Sequence, residues 1–482
     1  MSKSIKKNFL YNIILNISKV AFPLITAPYV SRVLEPDGLG LFNFSNVYVS
    51  YFVLFAALGI PYYGIREIAK IKDDIIAQTK LVSEILSISI VSTFLCTVIM
   101  LLSLLLIPQL KENCIYFVIA GIVLYFTPFR IDWFFSGKED FGYIALRSII
   151  IKTVSVIFLF LLVHEKSDLL IYVALNAISQ VLNDLWNFVK MYRLGVHPHF
   201  TFSGKYHIKP LLVLFSSSIA ISIYLMLDTL MLGFMTDYKE VGYYNCATHI
   251  SRAILPLITS LPAAMLPRIA SLRSVNNENE INHLMQDSFS LVSYLSFPIV
   301  FYIIVISPTF VPLFFGGQFA GTIYPLQIII FTLVAVGYNN LSALQVLLTF
   351  GHDRFLLYSV LSGTVSNIVL NMVLIPKWGA AGAAFASVCA ELIVFFVSLH
   401  FVYCLTHIRF VKMREVLHDI IVSLPFLMIS FLIGLFLCGW VLVIASAIIC
   451  FGYYVIIQYI FKNPAEIMII KTISRKIHSL KS

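Results

Sequence analysis

Residues 81–107 read LVSEILSISIVSTFLCTVIMLLSLLLI. An apolar run of this length exceeds the roughly 20 residues that a helix needs to cross a hydrocarbon core about 30 Å thick. Comparable runs lie on both sides of it, at about 8–30, 39–63, 114–134, 144–163, 168–190, 209–234, 241–266, 283–307, 320–349, 356–375, 379–404, 415–437 and 440–461, fourteen in all. No long polar segment interrupts them. Composition agrees: 60% of the 482 residues are hydrophobic, 12% are charged and the mean hydropathy is +0.92, whereas soluble domains carry roughly 25% charged residues. The chain is predicted to be an all-α integral membrane protein of about 14 transmembrane helices, and a soluble reading is excluded.

The basic residues give an orientation. Of the 33 lysines and arginines, five lie inside spans; with a cytoplasmic N-terminus, five more (Arg32, Lys111, Lys166, Lys239, Lys377) fall on the outer side and 23 on the inner side. That asymmetry predicts both termini in the cytoplasm. It also accounts for most of the net charge of +9, so no nucleic-acid partner is implied. The first run follows Lys3, Lys6 and Lys7 but is too long for a signal-peptide core and lacks a small-residue cleavage site, so it is expected to stay as an anchor. The seven cysteines are scattered without a CxxC spacing and read as small packing residues. There is no HExxH pair, no Walker A loop and no GxSxG elbow, so no metal, no cofactor and no ATP hydrolysis are expected.

The chain repeats itself. A shift of 202 residues aligns Gly40 with Gly242, Asn43 with Asn245 and Arg66 with Arg268; a shift of 214 sets Gly137 to Phe141 beside Gly351 to Phe355. Six spans per repeat is an even number, so the two halves keep the same orientation, as in transporters that expose a central site alternately to each side. The expected organisation is a six-helix lobe over 1–190, a cytoplasmic inter-lobe loop at 191–208, a second six-helix lobe over 209–404, helices 13 and 14 in 405–461 and a basic cytoplasmic tail over 462–482.

At this point the residues resemble a known group. Pro28-Tyr29-Val30-Ser31-Arg32-Val33-Leu34 followed by Gly38 and Gly40, then Leu58-Gly59-Ile60 and Gly64-Ile65-Arg66-Glu67, is similar to the opening of the Wzx-type polysaccharide flippases. Trp133-Phe134-Phe135-Ser136-Gly137 resembles that family's fourth-span exit, and Asn371 to Ala384 its eleventh-to-twelfth hairpin. The group sits in the superfamily of the multidrug and toxin extruders and the lipid II flippases. The resemblance implies two pseudo-symmetric six-helix lobes of MATE-like fold. It implies transport, without ATP, of an undecaprenyl-diphosphate-linked oligosaccharide from the cytoplasmic to the outer leaflet of a bacterial inner membrane, for O-antigen or capsule. It further implies a polysaccharide polymerase and a chain-length regulator as partners.

Five cations, Lys19, Arg130, Arg147, Lys152 and Arg252, stand inside spans. An intramembrane charge is expensive unless it has a partner or a wet cavity. All five carry one sign, which points to an anionic substrate. Lys19 and Arg252 each lie eleven residues into their spans, near the midplane at about 1.5 Å per residue. They are the expected diphosphate clamp across the lobe interface, with Arg252 favoured because a guanidinium binds phosphate bidentately. Lipid II flippases carry cations on spans one, two and eight, whereas the repeat-aligned residue on span two here is Ser50. Arg130, Arg147 and Lys152 lie nearer the cytoplasmic end; they can receive the head group, or pair with Asp132 and Asp184 inside the first lobe. Asp228 and Glu391 are the candidates for coupling to H+ or Na+; alternatively Glu391 pairs with Arg252, and Asp228 bonds Ser222 and Thr229.

Two other functions fit the same outline less well. A drug and cation antiporter of the same superfamily would present acids to its substrate, whereas the mid-membrane excess here is basic. An oligosaccharide polymerase embedded in the membrane needs a sizeable outer loop, and the longest here is about a dozen residues.

Overall fold

The computed structural model describes residues 2–201, 203–275 and 277–468, except the side chains of residues 2–10, 12–14, 16–17, 19–20, 217–225 and 261. Its elements are α1 (Ser2–Ala57), α2 (Ile60–Lys70), α3 (Ile75–Leu106), α4 (Pro108–Lys111), α5 (Cys114–Ala120), α6 (Ile122–Tyr125), α7 (Asp132–Gly137), α8 (Phe141–Leu162) and α9 (Leu169–Arg193). There follow α10 (Lys205–Met235), α11 (Tyr238–Ser274), α12 (Glu278–Phe315), α13 (Ile323–Ile329), α14 (Thr332–Asn339), α15 (Asp353–Leu405), α16 (Met413–Ser423), α17 (Phe426–Gly434) and α18 (Gly439–Ile460). Among the described residues, ten helical segments are long and apolar enough to cross a membrane, and Cys114–Phe129 and Met226–Met235 are shorter apolar stretches. This is an all-helical membrane protein.

Two of the long segments, α1 and α15, are helical hairpins. In α1 the backbone leaves the helix at Glu35 (φ 58, ψ 174), and in α15 at Gly379 (φ 51, ψ -128). Both breaks lie next to the gaps between apolar runs, at 31–38 and 376–378. The arms of α15 close tightly because their facing residues are small. A Cβ on Gly382 would meet the Leu374 carbonyl and lie 3.1 Å from Ile375 N.

Elsewhere the apolar runs are not single helices. The run at 114–134 is divided into α5, α6, a 3-10 turn at Thr127–Phe129 and α7. Pro128 has no N–H to continue the ladder, and Arg130 is left outside helical geometry (φ -73, ψ 81). The run at 320–349 becomes a 3-10 turn (Gly317–Thr322), α13, α14 and a π-helical stretch, Asn340–Leu348. The run at 415–437 breaks before Pro425, between α16 and α17.

By packing, the chain divides into two compact units, Met1–Gly242 and Tyr243–Ser482. The repeat divides it differently, in the 191–208 loop, because α10 packs on α1 and α2. Phe44 on α1 meets Phe234 on α10 edge-on at 5.2 Å between centroids, and also packs edge-on against Phe117 and at a tilt against Tyr48. In the first unit, the connections assigned to the outer side lie at one end: Lys166 pairs with Glu35 at 2.8 Å, and Gln109 bonds the Phe234 carbonyl. Those assigned to the inner side lie at the other, where Lys72 pairs with Glu139 at 2.7 Å and Ser83 accepts from His199 N at 3.0 Å. In the second unit α12 is the most enclosed long helix, and α16, α17 and α18 pack on it. Tyr294 of α12 meets Tyr454 of α18 at 5.2 Å between rings.

The repeat-aligned glycines meet each other. A Cβ on Gly40 would run into the Tyr238 carbonyl and stand 3.0 Å from Gly242 N, and one on Gly242 would run into the Pro36 carbonyl. Two backbones in van der Waals contact leave no room for a methyl group, as at other small-residue helix crossings in membranes. Gly40→Ala and Gly242→Ala should each cost about 1–3 kcal/mol through overpacking, read as a lower unfolding midpoint in detergent. Gly452→Ala, where no atom lies within 4 Å of the new Cβ, should leave the midpoint unchanged.

Candidate functional site

The intramembrane charges of the first unit are built on α7, α8 and α9. The break at Pro128 ends one helix and starts another, so Asp132 falls in the first turn of α7, where the helix dipole favours an acid. Asp140 caps α8, its Oδ1 accepting from Tyr143 N at 3.4 Å. One turn on, α8 carries Arg147, whose side chain is 2% exposed. Opposite stands α9 with Asn183, Asp184, Asn187 and Lys190.

These groups form one ion network. Arg147 Nη2 donates to Asp132 Oδ1 at 2.8 Å, and Asn187 Nδ2 donates to the same oxygen at 2.6 Å. Arg130 Nε reaches Asp184 Oδ2 at 3.5 Å. Lys190 pairs with Asp140 at 2.9 Å and sits 3.3 Å from the Tyr143 ring centroid, a cation–π contact. Three cations face three acids, so the network is close to neutral. Two buried nitrogens of Arg147, Nε and Nη1, have no hydrogen-bond partner among the described residues, so its guanidinium keeps unused donors. Lys152 stands 5.8 Å from the Phe22 ring on α1. Asp228 on α10 is buried beside buried Thr229. The side chains of Lys19 and Ser222 lie outside the described residues, so neither the clamp position on α1 nor the Asp228–Ser222 bond is described.

In the second unit Arg252 lies on α11, which contains Pro256, Pro262 and Pro267. Pro256 cannot donate to the Arg252 carbonyl. Arg252 is an exposed residue, and its neighbour Ser251 bonds Thr332 of α14 at 3.0 Å. Glu391 on α15 accepts from Asn339 Nδ2 at 3.3 Å. Asn339 immediately precedes the π-helical stretch, and Gln345 within it donates to the Pro262 carbonyl at 2.5 Å. Such π segments concentrate at functional sites.

Two further polar clusters lie apart from the residues predicted from sequence. Glu84, buried on α3, accepts from Tyr206, from Ser203 at 3.2 Å and from His207 at 3.0 Å, while His207 Nδ1 meets the Tyr63 hydroxyl at 2.5 Å. Asp419 on α16 accepts from Gln458 at 2.7 Å and Asn463 at 3.2 Å. The signal for the first was a lone acid within the run at 81–107. Asp419 stood in plain view in the same way, a few residues into the run at 415–437.

Residues 5–273, more than half of the chain, match the family described as polysaccharide biosynthesis protein. The chain belongs to the polysaccharide biosynthesis protein family. It is 23% identical to an Escherichia coli protein named "Putative O-antigen transporter", over 83% of this chain and 97% of that one. A Shigella dysenteriae protein of the same name is 21% identical, over 81% and 98% respectively. Both relatives are transporters by name, and the chain is not an enzyme. In structure it resembles the inward-facing conformation of a multidrug resistance MATE family transporter of the MOP superfamily, with a TM-score of 0.62, 14% identity and coverage of 80% of this chain and 93% of that one. The fold of this family member is therefore MATE-like.

The ion network makes a direct prediction. Asp132→Asn strands the buried Arg147 charge and should destabilise the protein, by less than the ~3–5 kcal/mol of a fully buried pair because Asp132 is half exposed. Combining it with Arg147→Met should restore most of the loss in a detergent unfolding series.

Proposed function

We propose that this chain is a flippase that carries an undecaprenyl-diphosphate-linked oligosaccharide from the cytoplasmic to the outer leaflet of the bacterial inner membrane, for O-antigen or a related surface glycan. The observation that carries this reading is the family match over residues 5–273, supported by the O-antigen transporter relative over nearly its whole length. The protein works as fourteen spans, two pseudo-symmetric six-helix lobes plus helices 13 and 14, by alternating access without ATP. Both termini are cytoplasmic.

The chemistry of the substrate fits such a device. A diphosphate-linked sugar head cannot cross hydrocarbon unaided, because every polar group it carries would lose its water partners. Its lipid tail can remain in the bilayer while the head travels through a wet cationic path. Arg252 is the residue with the strongest claim to the diphosphate, joined by Lys19. Arg130, Arg147 and Lys152 serve the head group secondarily, because Arg130 and Arg147 already hold Asp184 and Asp132. Among the described residues, Arg147 retains two buried unpaired donors. Asp228 and Glu391 are the groups proposed to couple H+ or Na+ movement to the cycle.

Purified protein in liposomes should move a labelled undecaprenyl-diphosphate oligosaccharide across the bilayer; movement of a cationic drug instead would replace this reading with that of a MATE-type antiporter. Arg252→Gln should slow the lipid-linked transport at least tenfold with membrane insertion intact. Wild-type rates after that substitution would remove Arg252 from the site. Glu391→Gln and Asp228→Asn should each abolish any dependence of the rate on an imposed pH or sodium gradient.

A further inference from the structure

Outside the charge network, the first unit contains an apolar groove between α3 and α10. Its cavity of about 380 Å3 is walled by Ile88, Val91 and Leu95 of α3 and by Ile208, Leu211 and Leu212 of α10. Its size falls within the roughly 300–1,000 Å3 of small-molecule sites, enough for one hydrocarbon chain. The outer rim is open: Val91, Leu95, Ile208 and Leu212 are exposed large apolar residues, so the groove is entered from the bilayer.

The back wall is a fixed structure. Thr201 N donates to Ser87 Oγ at 2.8 Å and His199 N to Ser83 Oγ at 3.0 Å. Glu84 ties down Ser203, Tyr206 and His207 in the same stretch. A Cβ on Gly204 would stand 3.2 Å from the Glu84 carbonyl, so the connection lies directly against α3. The cavity is thus preformed by buried polar ties on one side and two helices on the others.

Its mouth is basic. Lys205 borders this cavity and a second one of about 520 Å3, which Lys209 and Ser216 also line. The two lysines are one helical turn apart at the N-terminal end of α10, both exposed. Among the described residues no carboxylate pairs with either. The nearby acid, Glu84, faces away from them in its bonding, since it accepts from Tyr206, His207 and Ser203. Lysines at a membrane interface ordinarily snorkel to water. Here they stand over an apolar slot of single-chain width, the complement of a lipid with an anionic head.

The geometry points to a binding site for an anionic glycerophospholipid of the surrounding leaflet, one acyl chain in the α3–α10 groove and the phosphate on Lys205 and Lys209. This assignment is independent of the transport reading. A lipid held here braces α10 against α3 at the end where the 196–208 connection lies.

The test uses full-length protein in detergent, exposed in turn to phosphatidylglycerol, phosphatidylcholine, inorganic phosphate and undecaprenyl phosphate, with bound species counted by native mass spectrometry. The wild type should retain one phosphatidylglycerol at least tenfold more tightly than phosphatidylcholine. The exposed pair Lys205→Gln/Lys209→Gln should lose that preference at least tenfold, and Val91→Trp, which fills the slot, should release both lipids. Equal retention of the two phospholipids overturns the proposal, as does a double variant or a Val91→Trp protein that binds phosphatidylglycerol normally. Displacement by inorganic phosphate alone would make it a simple anion site. Undecaprenyl phosphate bound in preference at these lysines would make it part of the transport path; either result refutes the assignment.

Discussion

In hydrocarbon every backbone N–H and C=O must find its partner within the protein, and the rest of this structure follows from that constraint. It makes the apolar runs helices, and it puts a demand on each place where a helix stops. The demand is met by side chains. Gln78 Nε2 donates to the Ile71 and Lys72 carbonyls at 2.9 and 2.6 Å where α2 ends, and within α12 the Ile304 carbonyl, which Pro308 cannot serve, accepts from Gln327 Nε2 at 2.9 Å. Serine and threonine hydroxyls return to carbonyls one turn back along most of the long helices, as Ser288, Ser290, Ser293 and Ser296 do on α12. Those small residues also let neighbouring helices approach, which is the chief source of cohesion where lipid competes equally for apolar surface.

The same scarcity of water governs the charges. A cation far from water is tolerated when a carboxylate and further hydrogen bonds replace its hydration, and is strongly destabilising when they do not. The network of Arg130, Arg147, Lys190, Asp132, Asp140 and Asp184 meets that condition by near neutrality. Arg130 is held to Asp184 through its Nε alone, at 3.5 Å, and its side chain is partly exposed. Arg147 likewise has only part of its donor set engaged, but its remaining nitrogens are buried. Structural support and ligand contact are compatible in one guanidinium, because five N–H groups exceed what a single carboxylate can accept.

Much of the outline was legible in the sequence because hydropathy is a property of a window, and a window does not depend on tertiary contacts. The run at 81–107 is the long apolar helix α3, and Asn371 to Ala384 is a hairpin whose turn residue is Gly379. What was not legible depended on single residues acting across space. Hydropathy cannot distinguish a continuous span from one interrupted at Pro128, yet that interruption sets where Arg130 and Asp132 point. Sequence proximity suggested Asp132 as the neighbour of Arg130, but the break turns Arg130 to Asp184 and gives Asp132 to Arg147. Glu84 escaped notice because one acid early in a long run reads as an edge, whereas its partners lie more than a hundred residues away on the 196–208 connection.

The distribution of compensated charge bears on how an anionic head group would be recognised. If Arg130, Arg147 and Lys190 were uncompensated, the first unit alone would present a positive well, and an anion held there would be slow to leave. Near neutrality makes that region polar without making it a trap. Recognition of a diphosphate then requires charge contributed elsewhere, and conduction through any site requires binding strong enough to enter and weak enough to leave. On the proposed reading, Arg252 stands on the proline-rich α11, so a bend in that helix would move its guanidinium. The three prolines of α11 leave carbonyls without their usual donors, and a helix already missing those bonds loses little more by bending. Arg252, one turn before Pro256, is therefore carried by a helix whose ladder is interrupted at three points.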